Sequence, residues 1–510
     1  MTGKAIYFQL RILLVVLYIL LNACMNAFAQ NGSKSNTRYN IVFICIDDLR
    51  PELGCYGSKY IQSPNIDALA SHSVLFKKHF VTVPTCGPSR ASLLSGMRPR
   101  TTVELSNDVL ELKLKANVPR PIPESFVHHL RNQGYYTVGI GKISHSPDGY
   151  IYKYQEPKGK NRELPNSWDE MLLDPGKWTT GWNAFFGYSN GSNRNDLNGQ
   201  VKPYERSDVS DEGYPDGLTA LLAEKKLKEL AGRKQPFFLG VGFFKPHLPF
   251  NAPKKYWDMY DESKIDLSPS PGIPLNINQA SLHQSGEFNN NYKLGDEKAS
   301  LTVPLSDAYS RRLRHAYFAA ISYVDAQVGK VLRTLTDLGL EKNTIVVLWG
   351  DHGWHLGDAR VWGKHTLSEW ALRSPLIIKT PGNRKGAVCD KVVSSIDIYP
   401  TLMELCSIKL PYKAEGRSLA GLLKDPGDKS WNNNAFSYFN KGISVRTARY
   451  RLTKYYRQES PVIELYDHET DPYENINIAS AQPGIVKNLK FVLEKGNTGL
   501  YNKGEGSPRE

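Results

Sequence analysis

Cysteine is scarce in this chain, which has only six cysteines in 510 residues. No two of them are spaced like the ligands of a zinc site, and a chain of this length does not depend on a disulfide framework. Cys45 lies in an apolar run, where a buried thiol is expected, and pairing among Cys55, Cys389 and Cys406 stays open. The chain is not a disulfide scaffold, so Cys86 needs an explanation of its own.

Long apolar runs are also lacking, apart from ILLVVLYILL at positions 12–21. That run is too short to favour a membrane span. Basic residues precede it and AFA, ending at Ala29, follows it, which is the layout of a signal peptide over residues 1–29. We expect export to the periplasm or the medium, with no stable membrane span. A lipoprotein anchor at Cys24 is the alternative.

Internal repeats and low-complexity blocks are absent from the sequence, and its composition is that of a globular protein. A length of 510 residues fits one large α/β domain and a smaller one. The formal net charge of +13 suits an acidic partner such as a polyanion. It equally suits a basic surface that serves solubility, so charge alone does not choose a function.

Four short apolar runs are predicted to be strands, and each one leads into polar residues. They are IVFICI, YYTVGI, FFLGVGFF and TIVVLW, at 41–46, 135–140, 237–244 and 344–349. Helical patterns alternate with them, as in a mostly parallel sheet covered by helices on both faces. Ligands bind outside the carboxyl ends of such strands, so the polar residues there are candidate site residues. They are Asp47, Asp48, Lys142, His145, Lys245, His247, Asp351 and His352.

The remaining pattern predicts two domains. A last strand and helix are expected within 388–410, followed by a joint rich in Pro, Gly and Asn at 424–434. Hairpin strands and a helix near 485–495 come after the joint. We therefore expect a larger domain over 38–425 and a smaller α+β domain with an antiparallel sheet over 426–510.

The acidic residues at two predicted strand ends indicate a metal site. Asp47 and Asp48 follow one strand and Asp351 another, and three carboxylates in one place repel each other unless a cation lies among them. Oxygen ligands favour a hard ion such as Ca²⁺ or Mg²⁺. His352 suits such an ion less well. It could ligate the ion directly, or it could donate a hydrogen bond to one of the ligating groups. The alternative for Asp47 and Asp48 is a turn.

The stretch PTCGPSRASLLSGMRPR, at 84–100, places Cys86 beside the start of a predicted helix. Pro88 suits the first helical turn, where its missing N–H costs nothing. The free N–H groups and the dipole at such a terminus favour negative charge. This position is typical of an anion site or a reactive side chain.

Within this stretch, CGPSRASLLSGMRP resembles the signature of the type I sulfatases, in which Cys-x-Pro-Ser-Arg begins a helix rich in small residues. The similarity extends along nearly the whole chain after the N-terminal segment. It includes IDDLRPELGCYG, SPNIDALASHSVLF, GKISH, FFKPHLPF, YFAAISYVDAQVG, DHGWHLG and WGKH. Together these segments are most similar to the iduronate-2-sulfatase-like branch. The resemblance implies an alkaline-phosphatase-like sulfatase fold.

The resemblance also implies roles for particular residues. Asp47, Asp48, Asp351 and His352, with the modified side chain of Cys86, match the Ca²⁺ ligands of the family. Arg90 matches the arginine that holds the nucleophile, Lys142 and His145 the pair beside it, His247 the acid for the leaving group, and Lys364 a lysine on the sulfate. A maturation enzyme is implied as a partner, because the family cysteine is oxidised to Cα-formylglycine. No nucleic-acid partner is implied.

The formylglycine hydrate is the family's nucleophile and has two hydroxyl groups. One attacks sulfur while His247 protonates the departing oxygen, and the other, deprotonated by His145, then expels sulfate. An unmodified thiol has no second hydroxyl with which to do this. The resemblance thus explains Cys86 as a precursor.

The implied substrate is a sulfated, uronate-containing polysaccharide or its oligosaccharides, of the glycosaminoglycan or ulvan type. Arg360 and three lysines are expected near the site, although the loop at 358–361 departs from the pattern of the branch. The turn-rich segments 146–215 and 251–305 are predicted loops over the strand ends, where substrate choice is made. An arylsulfatase, a phosphatase or phosphonate hydrolase of the same superfamily, and a non-catalytic glycan-binding protein are the alternatives.

Overall fold

A computed structural model describes residues 38–115, 123–383, 385–457 and 460–501. The described residues from Tyr39 onward form one compact unit. The predicted signal peptide, residues 1–29, lies outside the described residues. None of the helices in the described ranges has the length and apolarity that a membrane crossing requires.

The described part of the chain contains sixteen strands. In chain order they are β1 Asn40–Ile46, β2 Val74–Phe80, β3 Tyr136–Gly141, β4 Glu170–Leu172, β5 Tyr204–Ser207, β6 Phe237–Phe243, β7 Phe250–Pro253, β8 Thr344–Gly350, β9 His355–Leu356, β10 Trp362–Gly363, β11 Leu376–Lys379, β12 Ala387–Ser394, β13 Asn434–Phe439, β14 Gly442–Thr447, β15 Tyr450–Tyr455 and β16 Val462–Asp467.

The α-helices of the same ranges are α1 Pro64–Ala70, α2 Cys86–Ser95, α3 Val109–Lys115, α4 Phe126–Asn132, α5 Gly181–Phe185, α6 Pro215–Ala231, α7 Lys254–Trp257, α8 Gly286–Asn291, α9 Asp307–Asp337, α10 Glu369–Leu372, α11 Ile398–Leu405, α12 Ala420–Lys424 and α13 Pro483–Glu494.

Eight strands form the main sheet, in the order β12-β2-β11-β8-β1-β6-β3-β4. Every neighbouring pair is parallel except the two that involve β11, which runs antiparallel to β8 and to β2. The four strands predicted from the sequence are β1, β3, β6 and β8, and they are consecutive in this sheet. Their carboxyl ends therefore meet at one edge, as predicted.

Burial on both faces holds these strands in place. Every residue of β1, β6 and β8 is buried. Successive residues of β1 point to opposite faces, so Val42 and Ile44 enter the core beneath α6 and α9, while Ile41 and Phe43 enter the core beneath α4 and α11. Each fully buried aliphatic side chain contributes roughly 1.5–3 kcal/mol, so the strand ends are rigidly supported.

A second, antiparallel sheet near the C-terminus has the order β13-β14-β15-β16. Helix α13 packs on it through Leu489 and Leu493. The hairpin strands and this helix were predicted, whereas β13 was not, because it follows the Asn-rich joint directly and lacks a clear alternating pattern. The domain boundary between 425 and 426 stays a prediction.

A buried ion network connects this second sheet to α10. Arg451 on β15 lies 2.6 Å from Glu369 on α10 and 2.6 Å from Glu474. Arg446 lies 3.1 Å from Glu369, and His468 lies 3.0 Å from Glu474. The arginines neutralise the two buried carboxylates, so removing one of them leaves uncompensated charge.

We predict that Arg451→Met lowers the free energy of unfolding by about 3–5 kcal/mol, the usual cost of breaking a buried ion pair. Lys454→Met on the same strand is the matched control. Lys454 pairs at 3.1 Å with the half-exposed Glu494, and such pairs contribute about 1 kcal/mol or less. Denaturant unfolding measures both variants, and equal losses of stability would contradict the prediction.

Candidate active site

The four central strands deliver their polar residues to one place. Asp47 and Asp48 follow β1 and are fully buried, and the Lys142 ammonium lies 2.5 Å from Asp47 Oδ2. Gly141, with φ 73°, ends β3 in a conformation that favours glycine. A Cβ there would lie 2.3 Å from the Gly242 carbonyl, so the close approach of β3 and β6 depends on this residue.

Helix α2 positions the sulfatase-like motif. It begins at Cys86 itself, whereas the sequence pattern places Cys86 just ahead of the helix. A Cβ at Gly87 would lie 2.3 Å from the Asn107 carbonyl oxygen, so only glycine fits there. Ser89 Oγ donates to the Asp351 carbonyl at 2.5 Å. These contacts hold the start of α2 against the carboxyl end of β8.

Four side chains could together hold a metal ion. Ligand atoms of Asp47, Asp48, Cys86 and His352 all lie within 4.8 Å of one another. Asp47 Oδ1 and Asp48 Oδ2 are buried without a hydrogen-bond partner, which is costly unless a cation supplies the missing interaction. His352 Nδ1 lies 2.9 Å from the Gly353 carbonyl, so in the Nδ1–H tautomer its Nε2 lone pair faces the cluster. These residues fit a divalent cation.

Asp351 lies beside this cluster. Its Oδ1 accepts from the Asp48 N–H at 3.0 Å, and its Oδ2 accepts from Arg90 Nε at 3.0 Å. Arg90 is fully buried and lies 3.6 Å from Asp47 Oδ1 as well. Asp351 is thus placed where it was predicted, and its role as a metal ligand stays a prediction.

Buried charges of opposite sign balance in part at this edge. Lys364 Nζ lies 2.8 Å from Asp48 Oδ1 and 3.2 Å from Cys86 Sγ. Burial would raise the pKa of Asp47, but Lys142 and other cations hold it well below its usual value. Burial raises the pKa of Asp48 well above its usual value even beside Lys364. A divalent cation would keep both carboxylates ionised.

Two histidines face the space above Cys86. Burial, followed by the charge of Lys142, lowers the pKa of His145 well below its usual value, so the ring is neutral. His247 Nδ1 lies 2.6 Å from the Leu248 carbonyl, which leaves Nε2 3.3 Å from Glu287 and 3.7 Å from Asp48. Lys245 donates to the His247 carbonyl at 3.0 Å and supports this turn. Glu287 was not predicted as a site residue, because no strand precedes it in the sequence.

A cavity of about 820 Å³ opens over these groups. Five of the predicted residues line it, namely Cys86, Lys142, His145, His247 and Lys364. Both turn-rich segments contribute to the wall, the first through Arg194 and the second through Glu287. Cys86 belongs both to this wall and to the candidate metal cluster. The structure therefore brings the predicted residues together.

Arg360 is not among them, and the expectation that it lies near the site is wrong. Its guanidinium donates to the Leu301 and Thr302 carbonyls, and it lines a separate cavity of about 340 Å³. The cause lies in its loop, where Asp358 pairs with Arg50 at 2.7 Å and Arg360 itself has φ 61°. The turn carries Arg360 away from Cys86.

Comparison with known proteins agrees with this geometry. Residues 39–408 match the Sulfatase family, and residues 350–498 match the C-terminal region of N-sulphoglucosamine sulphohydrolase. Iduronate 2-sulfatase of Homo sapiens is 32% identical over 425 residues, which cover 77% of this chain and 74% of that protein. An ulvan-active sulfatase of Formosa agariphila is 28% identical over 92% of this chain and 82% of that protein. The chain belongs to the sulfatase family, and it is a sulfuric ester hydrolase.

Solved structures share the fold. One, in complex with its substrate D-glucosamine-2-N,6-O-disulfate, superposes with a TM-score of 0.68 at 20% identity and covers 93% of this chain and 100% of that one. A phosphonate monoester hydrolase from Silicibacter pomeroyi also has a TM-score of 0.68, at 24% identity, over 91% of this chain and 96% of that one. These likenesses confirm the alkaline-phosphatase-like fold, and the fold by itself does not separate the two chemistries.

We predict that the purified protein carries a single tightly held Ca²⁺ per chain and that Asp48→Asn abolishes this binding. Asp169→Asn is the control, because Asp169 accepts from the Thr137 N–H at 2.8 Å, near the opposite end of β3. Atomic spectroscopy after dialysis and calorimetric titration of the metal-stripped protein measure binding without reference to activity. Equal Ca²⁺ binding by wild type and Asp48→Asn would contradict the prediction.

Proposed function

We propose that this sulfatase removes sulfate from sulfated, uronate-containing oligosaccharides and that Cys86 works as Cα-formylglycine. The observation that carries the proposal is the setting of Cys86, which starts α2 between Lys364 and His352, 3.2 Å from each. No other arrangement in the described residues joins a cysteine to cations and to metal-ligating groups in this way.

The unmodified thiol is poorly suited to attack. Burial, followed by the charge of Asp47, raises the pKa of Cys86 to about 12, so the nucleophilic thiolate is scarce at neutral pH. Formylglycine at this position would supply a hydrate with one hydroxyl to attack sulfur and a second with which sulfate can be expelled. The modification requires a maturation enzyme, which we propose as a partner.

Ca²⁺ is the proposed metal, held by Asp47, Asp48, Asp351, His352 and the modified side chain at position 86. When bound it would neutralise sulfate oxygens and orient the nucleophile. Lys142 and Lys364 remain charged, because nearby acids hold their pKa values above the usual value despite burial. Positive charge is therefore fixed around the place where a sulfate ester would lie.

His247 is the proposed acid for the departing sugar oxygen. Burial, followed by the charge of Lys364, lowers its pKa to about 4 in the free site, while Glu287 opposes this shift. A bound sulfate ester brings negative charge beside the ring and raises the pKa, so His247 gains its proton as substrate arrives. Glu287 at 3.3 Å positions the ring and stabilises its charged form.

His145 is the proposed base that takes the proton of the second hydroxyl. It lines the same cavity, and its depressed pKa keeps it neutral and able to accept. The Trp182 ring, 5.4 Å away, borders it. The two histidines thus have opposite proposed tasks because, among the residues that the structure describes, His247 has a carboxylate within 4 Å and His145 has none.

The sugar substrate is proposed from the relatives and the cavity. The similar proteins include iduronate 2-sulfatases and an ulvan-active sulfatase. The cavity has room for a sugar residue and carries five Lys and Arg side chains. Export, proposed from the N-terminal segment, would bring the enzyme to such polymers.

Formylglycine at position 86 is the first prediction from this proposal. Peptide mass spectrometry of active protein should show the aldehyde or its hydrate at 86 and an unmodified thiol at the buried Cys389. Hydrazide reagents should label only the first peptide. Cys86→Ala should lose activity by several orders of magnitude while unfolding at the wild-type midpoint. Fully active protein with only free cysteine at 86 would refute this mechanism.

Sulfate release from a panel of oligosaccharides tests the substrate. We expect turnover of heparan, chondroitin or ulvan oligosaccharides at a higher kcat/KM than that of p-nitrophenyl sulfate, because the cavity contacts more of a sugar than of a small aryl ester. Carrageenan oligosaccharides, which lack uronate, serve as the comparison. Activity confined to the aryl sulfate would contradict the proposal.

A further inference from the structure

We propose that Arg194, assisted by Lys293, forms a second anion subsite in the catalytic cavity, which binds a negatively charged group of the substrate other than the sulfate that is removed. The inference rests on the proposed function and adds to it the residue that selects multiply charged sugars. A uronate carboxylate and a second sulfate share the chemistry that such a subsite recognises.

The cations of the cavity fall into two groups. Lys142, Lys153 and Lys364 each have a carboxylate within 4 Å. Arg194 and Lys293 have none among the residues that the structure describes, and Lys293 Nζ donates only to the Asn198 carbonyl, at 2.8 Å. The second group is therefore available to an anion that enters the cavity.

Aromatic rings hold Arg194 in place. Its guanidinium carbon lies 3.3 Å from the centre of the Phe186 ring and 5.6 Å from that of Tyr292. Its polar contact with the described residues is long, 3.5 Å from Nη1 to the Tyr292 hydroxyl. Only 7% of the residue is exposed. The guanidinium thus has few acceptors in the protein while it lines the cavity, and an anionic ligand there would satisfy its donors.

The position of Arg194 suits the same sugar that presents its sulfate to Cys86. The Phe186 ring, on which the Arg194 guanidinium stacks, lies 6.1 Å from the His247 ring, measured between ring centres. Arg194 and the proposed acid therefore border the same aromatic ring, and both line the cavity. The paired N–H donors of a guanidinium can form two parallel hydrogen bonds to one carboxylate or sulfate. Neutral or singly charged esters would leave it unpaired.

Kinetics of Arg194→Gln test the subsite with matched substrates. These are a sulfated uronate-containing disaccharide, the same disaccharide with its carboxylate reduced to hydroxymethyl, a disulfated and a monosulfated glucosamine, and p-nitrophenyl sulfate. We expect kcat/KM for the substrate with the recognised anion to fall about 10- to 100-fold, mainly through KM. The rate with p-nitrophenyl sulfate should change less than about threefold. Lys293→Gln, at an exposed position, should give a smaller loss on the same substrate.

The panel distinguishes the two anions. If wild type prefers the uronate over its reduced form and Arg194→Gln loses that preference, the subsite binds carboxylate. If the lost preference is for the disulfated glucosamine, the subsite binds sulfate. Arg194→Lys should retain part of the preference, since lysine keeps the positive charge but lacks the paired N–H donors of the guanidinium. Arg233→Gln is the control, because Arg233 also lies over a ring, 3.6 Å from the centre of Tyr136, and does not line the cavity.

Two results would overturn the inference while leaving the proposed function intact. One is an unchanged preference in Arg194→Gln on sugars that wild type desulfates. The other is an equal loss on every substrate, including p-nitrophenyl sulfate, with a lowered unfolding midpoint, which would show a structural role. Wild-type protein that releases sulfate from no sugar would refute both the proposed function and the subsite.

Discussion

Buried carboxylates with unpaired oxygens, at the carboxyl ends of β1 and β8, are the constraint on which this site depends. Asp47, Asp48 and Asp351 are fully buried there, and two of their oxygens have no hydrogen-bond partner. Lys142, Lys364 and Arg90 each pair with one of the three carboxylates. One oxygen of Asp47 and one of Asp48 still lack a partner, and a divalent cation would supply it.

Beside the same edge lies Cys86, at the start of a helix. Helix α2 brings Cys86 to within 3.2 Å of Lys364 and sends Arg90 beneath it to Asp351, 3.0 Å away. Gly87 permits this approach because Asn107 leaves no room for a Cβ. A substrate sulfate would therefore meet positive charge on several sides, and only the cavity wall above remains to distinguish one sulfate ester from another.

Much of this could be predicted from local pattern. Strands β1, β3, β6 and β8 were recognisable as short apolar runs, because strands buried on both faces have almost no polar residues. Their carboxyl ends, together with the Cys-Gly-Pro-Ser-Arg resemblance, indicated the residues that now surround Cys86. Strand β13 was not predicted, because its hydrophobic pattern is short and irregular. Arg360 was misplaced because loop direction depends on contacts such as that of Asp358 with Arg50, which are distant in sequence.

The sequence by itself determined the class of fold, the motif at Cys86 and the chemical types of the groups at the strand ends. Each of these depends on residues that are close together in the chain. Tertiary structure alone decided which residues complete the site from the two long segments. Glu287 beside His247, and Arg194 on Phe186, come from segments without strand-end signals. Their positions follow from packing between segments far apart in the chain, and no local pattern encodes a contact of that kind.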